Sequence, residues 1–400
     1  MPTSEDVPLK TDKDRTGGIF YVTWHTQNLH DGKEYRADVS RVLAQDPYAS
    51  RNNDSPAWTK SSYHWGEPEW GYFLSQDEYV IRKDMSMLTD AGVDMIIFDV
   101  TNAVLYWDEW AVTLRTMAQM KKEGNKVPKF CFWAFNGNVI TVVHQLYDKY
   151  YKNPQYQDLW FYWDGKPLLL YNATPSVDAN VGGGEKNLAD YSDEVKQFFT
   201  LRNMWWGYYE WAGNRYVGTE GNWSFGLQLN DKKVAEMKPE QLAATWKGRY
   251  EQMSVTPAQH PITNVGKSWS RNGGQPKLDI CDMPIKAKVP FMDNKECLDP
   301  VRYGIYFQER WDEALQVDPD FIYLNDWNEW TAGRHENWGG VENAFPDQFN
   351  DEFSRDLEPT KGELKDHYYY QLVNFVRQFK GARPIPAPSA QKSIDLNAGY

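Results

Sequence analysis

The run Asn325-Asp326-Trp327-Asn328-Glu329-Trp330 sets two acidic side chains among indoles and amides, directly after the apolar stretch Phe321-Ile322-Tyr323-Leu324. A carboxyl group in an aromatic setting is poorly hydrated, and poor hydration is one way a protein tunes a carboxyl group for proton transfer. Strand alternation puts Tyr323, Asn325, Trp327 and Glu329 on one face and Leu324, Asp326 and Asn328 on the other. Glu329 is therefore the first catalytic candidate. Asp326 reads as a hydrogen-bonded structural carboxylate aimed away from it, towards helices or neighbouring backbone. Asp99, at the end of another apolar run, and Glu210, inside Trp205-Trp206-Gly207-Tyr208-Tyr209-Glu210-Trp211, are further acidic candidates. Two carboxyl groups flanking a bond, one protonated and one ionised, are what hydrolysis of a glycosidic bond requires.

Such groups must be held by regular elements, and the chain supplies them in a repeating order. Apolar, β-branched and aromatic runs at residues 18–25, 93–100, 129–136, 168–171, 203–211 and 321–325 read as strands, with a less distinct one at 251–256. Between them lie helical patterns near 75–91, 107–123, 139–151, 188–200 and 301–317, and a last one at 362–380. Ser75-Gln76-Asp77-Glu78 has the spacing of a capping box, and Gly92 marks the end of the helix it would open. Strand–helix alternation over this length predicts a parallel α/β fold, and the uniform polar or aromatic strand ends favour a (β/α)8 TIM barrel with long βα loops over a doubly wound sheet. No glycine-rich phosphate loop follows a strand.

In such barrels the active site lies at the carboxyl ends of the strands. That rule selects Trp24 and His25 after the first strand, Asn102 after the second, Trp133 and Asn136 at the third, and Tyr171 at the fourth. Trp206 and Trp211 follow the fifth, and Trp327 and Trp330 the last; His64 and Trp65 lie in the long segment after the first strand. Aromatic residues make up 16% of the chain, with 19 Trp and 25 Tyr, more than packing alone demands. Trp and Tyr offer flat apolar faces with a polar edge, which suits sugar rings, although the same rings also fill cores.

A net charge of −13, with Lys and Arg scattered, disfavours a nucleic-acid partner. No His, Cys, Asp or Glu set has metal-ligand spacing, no cofactor motif occurs, and no run of about 18 apolar residues is present to span a membrane. Cys131 sits in an apolar run; Cys281 and Cys297 form a candidate disulfide pair. Residues 1–16 read as a polar tail, 17–382 as the catalytic barrel, and 383–400 as a proline-rich linker leading into the start of a β-rich module. The chain is expected to act outside the cytoplasm, secreted, periplasmic or on the cell surface, after removal of a signal.

The run Trp327-Asn328-Glu329-Trp330, followed by Leu357-Glu358-Pro359 and Tyr368-Tyr369-Tyr370, resembles the last strand and closing helix of glycoside hydrolase families 99 and 71. Asp164-Gly165-Lys166-Pro167 before a strand is similar to the same group. The resemblance implies a barrel glycosidase related to endo-α-mannosidases and α-1,3-glucanases, with some relatives in polysaccharide biosynthesis labelled glycosyltransferases. In family 99 the motif Asn-Glu-Trp-x-Glu carries two glutamates: the first deprotonates the substrate's 2-hydroxyl and the second is the acid/base. Glu329 matches the first, whereas Ala332 stands at the second. The vacant role falls to Glu336 or Glu342 on an insertion after Trp330, to Glu210 or Asp99, or to a changed mechanism. Hydrolysis of a glycan is the leading expectation, with a non-catalytic glycan-binding barrel and a transferase as the alternatives.

Overall fold

A computed structural model describes residues 1–26, 39–49, 52, 54–58, 62–135, 138–172, 190–205, 216–227, 236–258, 287–288, 296–297, 304–338, 341–344 and 354–385. Eight strands carry the architecture: β1 (Thr16–Tyr21), β2 (Met95–Val100), β3 (Lys129–Ala134), β4 (Lys166–Tyr171), β5 (Thr200–Trp205), β6 (Asn222–Ser224), β7 (Arg249–Val255) and β8 (Phe321–Leu324). Their spatial order is β6-β5-β4-β3-β2-β1-β8-β7, and every one of these neighbours pairs in parallel. Spatial order thus follows chain order around a ring, as the (β/α)8 barrel expectation requires.

The ring closes between β6 and β7 through a side chain. Gln252 on β7 accepts from the Ser224 backbone N–H at 3.0 Å and donates to the Ser224 carbonyl at 2.9 Å. Its amide reproduces the two hydrogen bonds that a strand neighbour would make, and the Ser224 and Ser254 hydroxyls meet beside it at 3.1 Å. Gln252→Leu keeps the bulk but strands two buried backbone groups, each costing about 1–3 kcal/mol. A melt showing no loss of stability would remove the closing role of that amide.

Helices α1 (Glu78–Ala91), α2 (Trp107–Lys122), α3 (Val139–Leu146), α4 (Asp193–Phe198), α5 (Ile305–Val317) and α6 (His367–Lys380) pack outside. Helix α1 is capped by Asp77, which accepts from Tyr79 N at 2.9 Å, so the cap lies two residues after the expected Ser75. The Ser75 hydroxyl instead binds His25. Gly92 ends α1 in the left-handed region, at φ 86°.

Alternation divides each strand between two cores. Phe20, Met95, Ile97, Cys131, Trp133, Leu168, Leu170, Met204, Trp223, Phe321 and Tyr323 fill the barrel interior. Ile19, Tyr21, Ile96, Phe98, Phe130, Phe132 and Leu169 pack against the helices. Gly18 lets β1 and β8 approach, since a Cβ there would lie 2.7 Å from the Phe321 ring. The interior is plugged at its amino end by Glu251, fully buried on β7, whose carboxylate receives Arg202 and the indole N–H groups of Trp163 and Trp223.

The sixth strand departs from expectation. Residues 251–256 belong to β7, and the three-residue β6 precedes them, too short to display a two-residue period. The first residues are fastened to the barrel: Ala382 N donates to Val7 O at 2.8 Å, and Arg15 pairs with Asp12 and Asp318. Residues 386–400, Cys281 and the side chain of Cys297 lie outside the described residues, while Cys131 is a buried free thiol. No helix among the described residues is long and apolar enough to cross a membrane.

Candidate functional site at the carboxyl end of the barrel

Strand β8 stops at Leu324, and the next residues are held by a strap, residues 354–360, that runs alongside them. Asp326 N donates to Arg355 O at 2.8 Å, Leu357 N to Asp326 O at 3.0 Å, and Glu358 N to Trp327 O at 3.0 Å. Asn328 clamps β1, accepting from Val22 N at 2.8 Å and donating to Val22 O at 3.2 Å. These bonds fix the backbone on both sides of Glu329, whose own N–H donates to Asp356 Oδ1 at 2.5 Å.

The strap also supplies the charges around Glu329. An Arg355 terminal nitrogen donates to Glu329 Oε2 at 2.6 Å, forming a buried ion pair. Asp356 accepts from Trp65 Nε1 at 3.0 Å, and Trp330 Nε1 donates to Glu358. Trp65 and Trp330 stack at 5.0 Å and 18°. Asp326, Glu329, Asp356 and Arg355 are 0%, 3%, 4% and 1% exposed, so three carboxyl groups and a guanidinium lie together in a dry layer.

Such an imbalance must be met by protons. Burial, then the charge of Asp356, pushes Asp326 well above the carboxylate range, and burial pushes Asp356 up to about 7. A second buried pair lies beside the first. Asp84 on α1 accepts from the Tyr21 hydroxyl at 2.7 Å and faces Glu358; burial raises Asp84 to about 7 and Glu358 well above its usual value.

This arrangement makes stability depend on pH. A carboxyl group whose folded pKa is raised contributes stability that is whole below its unfolded value, near 3.8, and is lost as pH rises through the folded value near 7. Each such group adds a slope of about 1.4 kcal/mol per pH unit across that window. The protein is expected to melt at a higher temperature at pH 5 than at pH 8, and Asp84→Asn should flatten the trend; equal slopes in the two proteins would refute it.

Other expected residues distribute unevenly. Asp99 sits at the end of β2, 2% exposed, with Thr101 N donating to it at 2.7 Å, and its charge reaches Tyr323 in the barrel interior. His25 is buried, with Nδ1 3.2 Å from the Ser75 hydroxyl; burial, reinforced by His64, pushes its pKa down to about 3, so the ring is neutral. His64 packs on Tyr72, Trp24 is half-buried, and Asn102 is exposed. Glu336 and Glu342 belong to the hairpin His335–Trp338/Val341–Ala344 just beyond Glu329; their side chains lie outside the described residues, as do Asn136, Trp206, Glu210 and Trp211.

No family model matches the chain, and no curated protein matches it. Among solved structures, the GH99 endo-alpha-mannosidase from Bacteroides thetaiotaomicron aligns at 15% identity and a TM-score of 0.48, covering 93% of this chain and 100% of that one. A second structure of that enzyme, in complex with BIS-TRIS-propane, aligns at 13% identity and a TM-score of 0.47, covering 92% and 98%. A glycoside hydrolase-like protein aligns at 12% identity and a TM-score of 0.40, covering 92% and 96%. The barrel assignment itself rests on the strand order described above.

Several sequence expectations are corrected by the packing. Trp133 is fully buried in the barrel interior, donating to Met204 O at 3.3 Å, and Tyr171 faces outward onto Tyr191 at 5.6 Å. Trp65 and Trp330 are sealed in their stack, and Trp327 packs outward on Tyr369 at 6.2 Å. Strand alternation does not continue past Leu324, so Trp327 and Glu329 do not share a face as expected. Asp326, expected to point away, lies in the same cluster as Glu329. Arg355, Asp356 and Asp84 were not anticipated; the motif Leu357-Glu358-Pro359 was the one sequence signal close to them. Among the described residues no group of three or more His, Cys, Asp or Glu is placed to hold a metal ion.

Proposed function

We propose that this chain is a glycoside hydrolase that cleaves an oligosaccharide or polysaccharide by carboxylate acid/base chemistry at the carboxyl end of its barrel. The observation that carries the reading is the buried Glu329–Arg355 ion pair, held at a strand end by the residue 354–360 strap. A carboxylate locked in one geometry needs no reorganisation to accept a proton or attack a sugar carbon. Asp99, two strands away at the end of β2, stands as the second carboxyl group, with the hairpin bearing Glu336 and Glu342 as the nearest inserted source of another. Trp24 and His64 are the half-buried aromatic and imidazole groups offered to a sugar.

Incubation with a panel of α- and β-linked glucans and mannans, read as released reducing ends, tests the proposal. Product formation that needs no nucleotide sugar is expected. Binding without product would make the chain a glycan-binding barrel, and product only with a nucleotide-sugar donor would make it a transferase.

A further inference from the structure

The cluster beneath Glu329 has a charge problem that its geometry resolves in one way. Arg355 has a terminal nitrogen 2.6 Å from Glu329, whereas its Nε lies 3.9 Å from Asp326, so the guanidinium serves Glu329 first. Asp356 is occupied on both oxygens, by the Glu329 N–H at 2.5 Å and the Trp65 indole at 3.0 Å, which is the hydrogen-bonding pattern of an acceptor. Neither oxygen of Asp326 receives an N–H or O–H donor among the described residues, yet its carboxyl faces both Asp356 and Glu329. A fully buried carboxyl group between two other carboxyl groups, with no donor of its own, satisfies its neighbours by carrying the proton itself.

We propose that Asp326 is the positioning residue of this site: a neutral carboxylic acid that donates to Asp356 and faces Glu329, so that the charge of Arg355 is directed first to Glu329. The proton stays on Asp326, in the hydrogen bond to Asp356. The groups that face Asp326 are Tyr323 on β8, Glu329, and Arg355 and Asp356 of the strap. If Asp326 ionised, a second carboxylate would compete with Glu329 for Arg355. The catalytic part of this inference rests on Glu329 being the reacting carboxylate; the protonation part does not.

Asp326→Asn is the diagnostic variant, because an amide replaces the acid's O–H donor with an N–H donor and keeps a carbonyl at nearly the same volume. Expected at pH 7 are a melting temperature close to the parent's, a lower one for Asp326→Ala, and a weaker infrared carbonyl absorption from protonated carboxyl groups in Asp326→Asn. Where a glycan substrate has been found, Asp326→Asn should carry the alkaline limb of the pH–rate profile to higher pH. Asp326→Asn melting as low as Asp326→Ala, or an unchanged infrared band, would overturn the proposal. Carbon-13 spectra of the parent protein labelled at its aspartate carboxyl groups give a readout that depends on no variant folding. A protonated aspartate resonance at pH 7 is expected, and its absence counts against the proposal. The melts and spectra need no substrate, so failure of the hydrolase reading leaves them intact.

Discussion

Glu329→Gln is expected to reduce glycan turnover by on the order of 10²–10⁴-fold while leaving glycan affinity within a few-fold of the parent. That loss corresponds to about 3–5.5 kcal/mol of transition-state stabilisation. The side chains are nearly isosteric, and the amide oxygen of Gln still accepts from Arg355 at the Oε2 position, so the site keeps its shape. The backbone contact to Asp356 is made by the residue 329 N–H and survives any side chain. What disappears is the negative charge, and with it the capacity to take a proton or to form a bond to a sugar carbon. Initial rates measured alongside calorimetric titration separate the two effects. Full turnover in the variant would move the reaction away from Glu329, and lost affinity with lost fold would show a structural role instead.

The second large effect is on stability. Arg355→Met keeps much of the bulk against Phe225, over which the guanidinium lies at 5.7 Å, but removes the cation in contact with Asp326 and Glu329. Breaking a buried ion pair from one side leaves an uncompensated charge and costs about 3–5 kcal/mol. The signature is its repair: in the double variant Arg355→Met/Glu329→Gln the orphaned charge is gone, and part of the loss should return. Denaturant midpoints for the parent, both single variants and the double variant close that cycle. Additive losses would mean that Arg355 acts through packing and not through the charge of Glu329.

Much of the fold was legible in the chain because it depends on local chemistry. Seven of the eight barrel strands and the six packed helices correspond to runs whose apolar periodicity and bounding glycines need no distant partner. The exception, β6, exists because its three residues find β5 on one side and the Gln252 side chain on the other. Its recognition requires the closed ring.

At the site the division is similar. Sequence alone singled out Glu329, through a carboxylate at a strand end among indoles, and pointed to Asp99 by the same rule. It misplaced Asp326 and Trp327 because alternation was carried past Leu324, where the ladder stops and the strap takes over the pairing. It assigned sugar-binding roles to Trp65, Trp133 and Trp330, since a one-dimensional pattern does not distinguish an indole on a cleft wall from one in a stack. Arg355, Asp356 and Glu358 follow Glu329 by more than two dozen residues, and Asp84 lies on a different helix. Only the folded chain brings them within hydrogen-bonding range. Burial there removes the water that would otherwise solvate each charge separately, and one guanidinium and a few retained protons then decide which carboxyl group stays ionised. The identity of the candidate carboxylate was thus a property of the sequence, and its charge a property of the tertiary structure.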